Sequence, residues 1–410
     1  MQISKSNIIV SLVHVIFLFS IIGFSLPAGN TKIIPYYAIS AFLICVIFIL
    51  SLKEYKVIQL QFLKFYKTFN DLYIIYSFLF FSTIPGVIFS FFIDPNYGFR
   101  NLLSLIRLVI YLFSVFFIGC LINRYNINPK KGIYLGFLIT AIYNIYDFFY
   151  ISSDNLIIAL KGENDIGYTA SIVYAVYIGD LLIRKTKINL VNFIFVCLIV
   201  FITFLSWSKS AWLIILLLTF LLLYHSFRNR KNIYFILSLI IIINAIYLFF
   251  ESQILNIIIT EYTSSLGSES NEERLSMMSN AFKIFLQYPF GVGNNTYPLM
   301  NEILGFKSFQ YGGRPPDPHN TYLQVLVGSG ILGFLSYIFS IFYLIRKAFA
   351  LSSNNNKSYI LVPFLAFLAC FIQAFFSGIT FTQPISWVIV SWLLAEFYKI
   401  HIKKVNTPII

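Results

Sequence analysis

Apolar residues in this chain come in long runs and not in alternation. Stretches of about 20 mostly apolar residues, enough to cross a bilayer, recur along the whole sequence. They predict about twelve membrane helices, at roughly 8–26, 33–52, 71–93, 101–122, 132–150, 166–183, 190–206, 210–226, 233–250, 320–345, 359–377 and 385–400. The first follows Lys5 and lacks a small-x-small cleavage site, so it reads as an uncleaved helix. One long polar stretch, Glu251 to Pro318, separates the ninth run from the tenth. Inside it, Leu275, Met278, Phe282, Phe285 and Leu286 recur at helical spacing, and Pro289 with Gly291-Val292-Gly293 ends that helix. Its apolar stripe is expected against the membrane helices or in the interface plane. The predicted organisation is one all-α membrane domain. Helices one to nine fill residues 1–250, a loop with an amphipathic helix fills 251–319, and helices ten to twelve fill 320–410.

Composition agrees with this pattern. Of 410 residues, 59% are hydrophobic and only 11% are charged, which excludes a soluble protein. The net charge of +13 invites a nucleic-acid reading, so its location matters. Most of the 29 lysines and arginines fall in alternate connections, such as Lys53–Lys67, Arg124–Lys131, Arg184–Lys187, Arg228–Lys231 and the tail after Lys399. The positive-inside rule makes those segments and both termini cytoplasmic, and puts the long loop outside. The charge is therefore topogenic, and no nucleic-acid partner is expected. The four cysteines are isolated in sequence and form neither a metal spacing nor a disulfide framework.

Polar residues near the outer face supply the candidate chemistry. Pro315, Pro316 and Pro318 forbid helix before His319, and an apolar run starts after Asn320. Arg314, Asp317 and His319 thus stand where a loop enters a membrane helix, with Tyr322 one turn in. Asn320 also fits a plain helix cap, and His319 a plain interface residue. Arg107 lies about two turns into the fourth span, with Arg100 at its mouth on the same face. Charges at such depth are costly and mark function. Lys209 occupies the outer turn SWSKSAW, where it also fits a snorkelling lysine. Arg274 begins the loop helix, where it also fits a solvated residue. Asn164 opens the sixth span and doubles as a helix-start residue. No hydrolase, nucleotide-binding or metal-binding motif appears, so neither metal nor cofactor is expected. Cations gathered at one membrane surface suit a diphosphate, since arginine offers bidentate contacts to phosphate oxygens. A histidine of near-neutral pKa suits removal of a hydroxyl proton. Together they suit glycosyl transfer from a lipid diphosphate.

Three features resemble the O-antigen polymerase and O-antigen ligase superfamily. They are Asp317-Pro318-His319-Asn320-Thr321-Tyr322-Leu323-Gln324 with Gly330-Ile331-Leu332-Gly333, Glu273-Arg274-Leu275 followed by Tyr288-Pro289-Phe290-Gly291-Val292-Gly293, and the Ser208-Lys209-Ser210 turn. The resemblance covers about residues 160 to 340. It implies a GT-C-like membrane fold and an inverting, metal-independent glycosyltransferase of lipopolysaccharide biosynthesis. The site would face the periplasm from the bacterial inner membrane. The expected donor is an undecaprenyl-diphosphate oligosaccharide, and the expected partners are a chain-length regulator, a flippase and membrane lipid. His319 takes the family histidine's place, and Arg274 and Arg314 take those of its diphosphate-binding arginines. Lys209 stands where an arginine is common, and a lysine provides no fork. A polymerase extends a lipid-linked repeat unit, whereas a ligase moves the glycan onto lipid A–core. A transporter or flippase of lipid-linked sugars is the reading of another class; it expects midplane charges between internal repeats, and no repeat is visible here.

Overall fold

The computed structural model describes residues 5–22, 26–28, 31–33, 36–51, 55–150, 163–184, 190–206, 208–229, 265–306, 318, 320–352, 357–376 and 384–406. The fold is helical apart from a short antiparallel hairpin that pairs Leu26–Ala28 with Thr31–Ile33. The helices among these residues are α1 (Lys5–Ile22), α2 (Tyr36–Ser51), α3 (Tyr55–Thr68), α4 (Asn70–Ile93) and α5 (Pro95–Arg124). They continue with α6 (Lys130–Tyr150), α7 (Glu163–Arg184), α8 (Leu190–Leu205), α9 (Lys209–Asn229) and α10 (Ser265–Gln287). The last are α11 (Tyr297–Ile303), α12 (Thr321–Ser352), α13 (Lys357–Gln373) and α14 (Pro384–Asn406).

Among the described residues, five helices are long and apolar enough to cross a membrane: Asn70–Ile93, Pro95–Arg124, Ile166–Ile183, Thr321–Leu351 and Pro384–Ile402. Shorter apolar helices lie at Ser6–Ile22, Leu190–Leu205, Ser210–Leu221 and Ile360–Gln373. The chain is thus a polytopic membrane protein. The expected runs coincide with helices except 233–250, which lies outside the described residues. The expectation missed α3, because its lysines interrupt the apolar run.

The bundle is organised by pairs. α4 packs along α12, α5 along α14, and α13 along α7, while α1 packs on α6. A tight reversal joins α4 to α5. Asp94 caps both, its N–H donating to Ser90 O at the end of α4 and its carboxylate accepting from Asn96 N at the start of α5. Pro95 follows at the first helical position, where its missing N–H costs nothing. The two helices are therefore forced antiparallel, and the start of α5 stands beside the end of α4.

Candidate active site

α12 is two helices end to end. Gly330 has φ +67° and ψ −170°, which breaks the helix after Ser329. That conformation suits glycine, and a Cβ there would stand 2.4 Å from Pro289 O. A break inside a membrane helix strands backbone groups, which must find partners in the protein. The segment Pro289-Phe290-Gly291-Val292-Gly293 supplies them. Val292 N donates to Val327 O (2.9 Å), Gly293 N to Gly328 O (3.0 Å), and Ile331 N donates back to Pro289 O (3.0 Å). Gly293 is at φ +96°, and a Cβ on it would meet Asn101 Nδ2 at 2.4 Å. The loop after α10 is therefore laid into the break of α12 against α4 and α5.

The next residues tie that loop to the start of α5. Asn101 Nδ2 donates to Thr296 Oγ1 (2.7 Å), and Asn101 Oδ1 accepts from Asn295 N (2.8 Å). Asn295 Nδ2 reaches Ser104 Oγ (2.8 Å) and the Arg100 carbonyl (3.2 Å). Tyr297 then donates to Met277 O (2.6 Å), which anchors α10. The loop thus joins α5, carrying Arg100 and Arg107, to α10, carrying Arg274, and to the first half of α12.

The first turn of α12 is held from the other side. Thr321 N donates to Ala374 O (2.9 Å), just past the end of α13. Asn320 Nδ2 donates to Phe375 O (3.1 Å), and Asn320 Oδ1 accepts from Leu323 N (3.1 Å), as an N-cap does. Tyr322 donates to Phe371 O (3.0 Å), and its ring meets that of Phe375 at 4.4 Å. Asn320 and Tyr322 are therefore buried and engaged in fixing the helix entrance. His319, Asp317 and Arg314 themselves lie outside the described residues.

The remaining candidates fall into two groups. Arg100 is exposed at the start of α5, its guanidinium 5.3 Å from the Tyr97 ring centre. Arg107 is half-buried further along α5. Arg274 is exposed, one turn before Met277. These three belong with the loop and the α12 entrance. Lys209 and Asn164 belong elsewhere, in the backbone of the α8–α9 turn and the first turn of α7. The turn is a knot of buried serines. Ser206 Oγ donates to Thr203 O (2.7 Å), Ser208 Oγ and Ser210 Oγ lie 3.1 Å apart, and Trp212 N donates to Ser208 O (3.1 Å). Lys209 is the first residue of α9 in this knot, and Gly167 of α7 packs directly against Ser208. α13 connects the groups, since it packs along α7 and its end holds the α12 entrance.

The apolar stripe expected on α10 is divided: Leu275, Phe282 and Leu286 are 67%, 50% and 62% exposed, as the interface-plane alternative allows, whereas Phe285 packs against the buried cluster. The packed face is Met277, Asn280, Ala281 and Ile284, which meets Val292, Tyr297, Met300 and Val327. α10 carries two apolar faces. Ala281, with no long side chain, lets α12 approach on the less obvious one.

Sequence reasoning also missed polar residues that build the site. Asn101, Ser104, Asn295 and Thr296 form the tie just described. Gln324 Oε1 on the first turn of α12 and Gln373 Oε1 at the end of α13 are buried acceptors without a hydrogen-bond partner among the described residues. Only the run Asn294-Asn295-Thr296 after the glycine turn hinted at this. Among the described residues, no three His, Cys, Asp or Glu side chains gather at metal-binding range.

The broken helix α12, the loop laid into its break and the arginines on the elements it joins define a polytopic helical membrane protein with a candidate site at that junction. A family profile described as O-Antigen ligase matches residues 193–338. The match supports the O-antigen ligase and polymerase superfamily, and with it glycan transfer of that general type. No curated protein matches the chain.

Proposed function

We propose that this chain is an inverting membrane glycosyltransferase that moves a growing glycan from undecaprenyl diphosphate to the next lipid-linked repeat unit, at the periplasmic face of the bacterial inner membrane. The observation that supports it is the family match over residues 193–338, which takes in Lys209, Arg274, Arg314 and His319 together. The loop inside that stretch binds Asn101, and so brings Arg100 and Arg107 of α5 to the same entrance.

The acceptor hydroxyl attacks the anomeric carbon of the donor from the face opposite the diphosphate. His319 takes the hydroxyl proton as the new C–O bond forms. The old C–O bond breaks, and the diphosphate leaves with the electron pair. Arg314 and Arg274 hold its oxygens through paired N–H contacts, and Lys209, Arg100 and Arg107 add positive charge. Asn320 and Tyr322 keep the helix entrance, and so His319, in place. In this reading Asp317 and Asn164 contact the sugar. The transfer requires no metal and proceeds in the presence of a chelator.

The ligase reading, transfer onto lipid A–core, has one observation of its own: the matched profile is described as O-Antigen ligase. Deleting the gene and examining surface lipopolysaccharide separates the two. A polymerase deletion leaves core capped with a single repeat unit; a ligase deletion leaves bare core. Full-length glycan after deletion overturns both.

A further inference from the structure

A groove of about 530 Å³ runs between α3, α4 and α5, with one mouth remote from the entrance. That volume is within the roughly 300–1,000 Å³ of ligand sites. Its two ends differ. At one end Tyr66 of α3 meets Tyr73 of α4, ring centres 4.7 Å apart, with Ser77 one turn on. At the other end the walls are Phe80, Phe81 and Val109. From Tyr73 to Phe81 the groove follows α4 for about 12 Å, at 1.5 Å per residue. It is polar at one mouth and apolar along its length, as a lipid is.

The charge at the polar mouth points to the kind of lipid. α3 has 14 residues, about 21 Å, too short to span a bilayer. It packs on α4 and α5 with Ile58 and Phe65 buried, yet leaves Leu60 and Leu63 exposed beside exposed Lys64 and Lys67. Exposed leucines next to exposed lysines are the composition of a helix lying in a membrane interface. Leu63 and Tyr66 line the groove, and the exposed side of α3 that carries Lys64 and Lys67 adjoins it at Leu63, which shares a helix face with Lys67 one turn on. Lys347 adds a third cation at that end, its Nζ donating to Tyr343 Oη (2.9 Å) and lying 4.4 Å from the Phe69 ring centre. Asp71 at the start of α4 is the acid there. The mouth is therefore net positive. It is also remote from the entrance: Gly86 of α4 touches the loop at Gly293, and Tyr73 is 13 residues further back, about 20 Å along the helix.

We propose that this groove binds an anionic phospholipid, with one acyl chain between α3, α4 and α5 and the headgroup phosphate on Lys64 and Lys67. The site is separate from the glycan site and does not depend on the reading of the latter. A lysine near a membrane surface favours anionic lipid by roughly fivefold, so two favour it by roughly 30-fold.

Native mass spectrometry of the full chain in detergent tests this, titrated with phosphatidylglycerol and with phosphatidylcholine of the same acyl chains. The expected result is one phosphatidylglycerol retained at least tenfold more tightly than phosphatidylcholine. Lys64→Gln/Lys67→Gln should bring the two within about twofold. Ser77→Trp, which fills the groove, should abolish retention of both. Leu112→Trp narrows it from the opposite wall and carries the same expectation should Ser77→Trp fail to accumulate. Equal retention of the two lipids by the wild type, or retention unchanged in the filled variant, overturns the proposal. Displacement of phosphatidylglycerol by equimolar undecaprenyl phosphate also overturns it, in favour of an isoprenoid chain.

Discussion

The α12 entrance and the α8–α9 turn are both associated with candidate cations, but they are held in opposite ways. The turn holds itself. Its hydrogen bonds join Thr203, Ser206, Ser208, Ser210 and Trp212, all within ten residues of one another. The entrance is held by distant parts of the chain: Pro289–Gly293 at the break, Asn101 and Asn295 at the tie, Ala374 and Phe375 at the first turn. A self-contained turn tolerates change elsewhere. An entrance assembled from four elements does not, and its chemistry is exposed to substitutions far from any substrate.

The largest effect is expected at the entrance itself. His319→Ala should abolish visible glycan while the protein still inserts, since a general base contributes roughly 10²–10⁴ in rate. In a purified transfer assay from pH 5 to 9, the wild-type rate should fall on the acid side, with an apparent pKa near the ordinary imidazole value of about 6.5. The sign follows from the role: a protonated ring accepts no proton. A residually active His319→Gln should lack that acid limb; keeping it would remove His319 from the role of base.

Next come the arginines. Arg314→Ala and Arg274→Ala should each lower turnover by roughly 10²–10³, the scale for losing one electrostatic donor. Arg314→Lys should recover only part, because lysine lacks the fork. Normal glycan length from both alanine variants at matched protein level would count against them.

The comparison itself is tested by Asn101→Leu and Gly330→Val, neither of which touches substrate. Asn101→Leu removes the contacts to Asn295 and Thr296 at about 1 kcal/mol each and strands their buried partners. Gly330→Val forces a branched residue to positive φ against Pro289 and Phe290, at a cost of about 1–3 kcal/mol. Both should lower the melting temperature and reduce transfer by about tenfold or more. Full transfer at reduced stability would show that the tie is structural only.

The smallest effect is expected in the self-held turn. Lys209→Arg should keep activity, and Lys209→Ala should lose about tenfold through the missing charge. Glycan yield in cells, compared with Lys209→Gln, decides the matter: a silent Lys209→Gln means that the lysine only snorkels.

The helices were legible because burial in a bilayer is a local demand. Most residues of a spanning run must be apolar and most backbone groups bonded within their own helix, so the runs announce α4, α5, α7, α12 and α14 directly. The Asn320 cap was readable for the same reason, since it acts within one turn. The break at Gly330 was not. Gly-Ser-Gly inside an apolar run is compatible with an unbroken membrane helix, and only a partner for the freed carbonyls of Val327 and Gly328 makes the break affordable. That partner lies 35 residues earlier, in the loop. The packed face of α10 was likewise beyond the sequence. Its helix carries two apolar faces, and the approach of α12 over Ala281 selects one. Asn101 looked like an ordinary neighbour of Arg100 until the fold brought Asn295 to it across 194 residues. Local rules named the helices and the residue types at their mouths; which mouths meet was decided by hydrogen bonds between segments far apart in the chain.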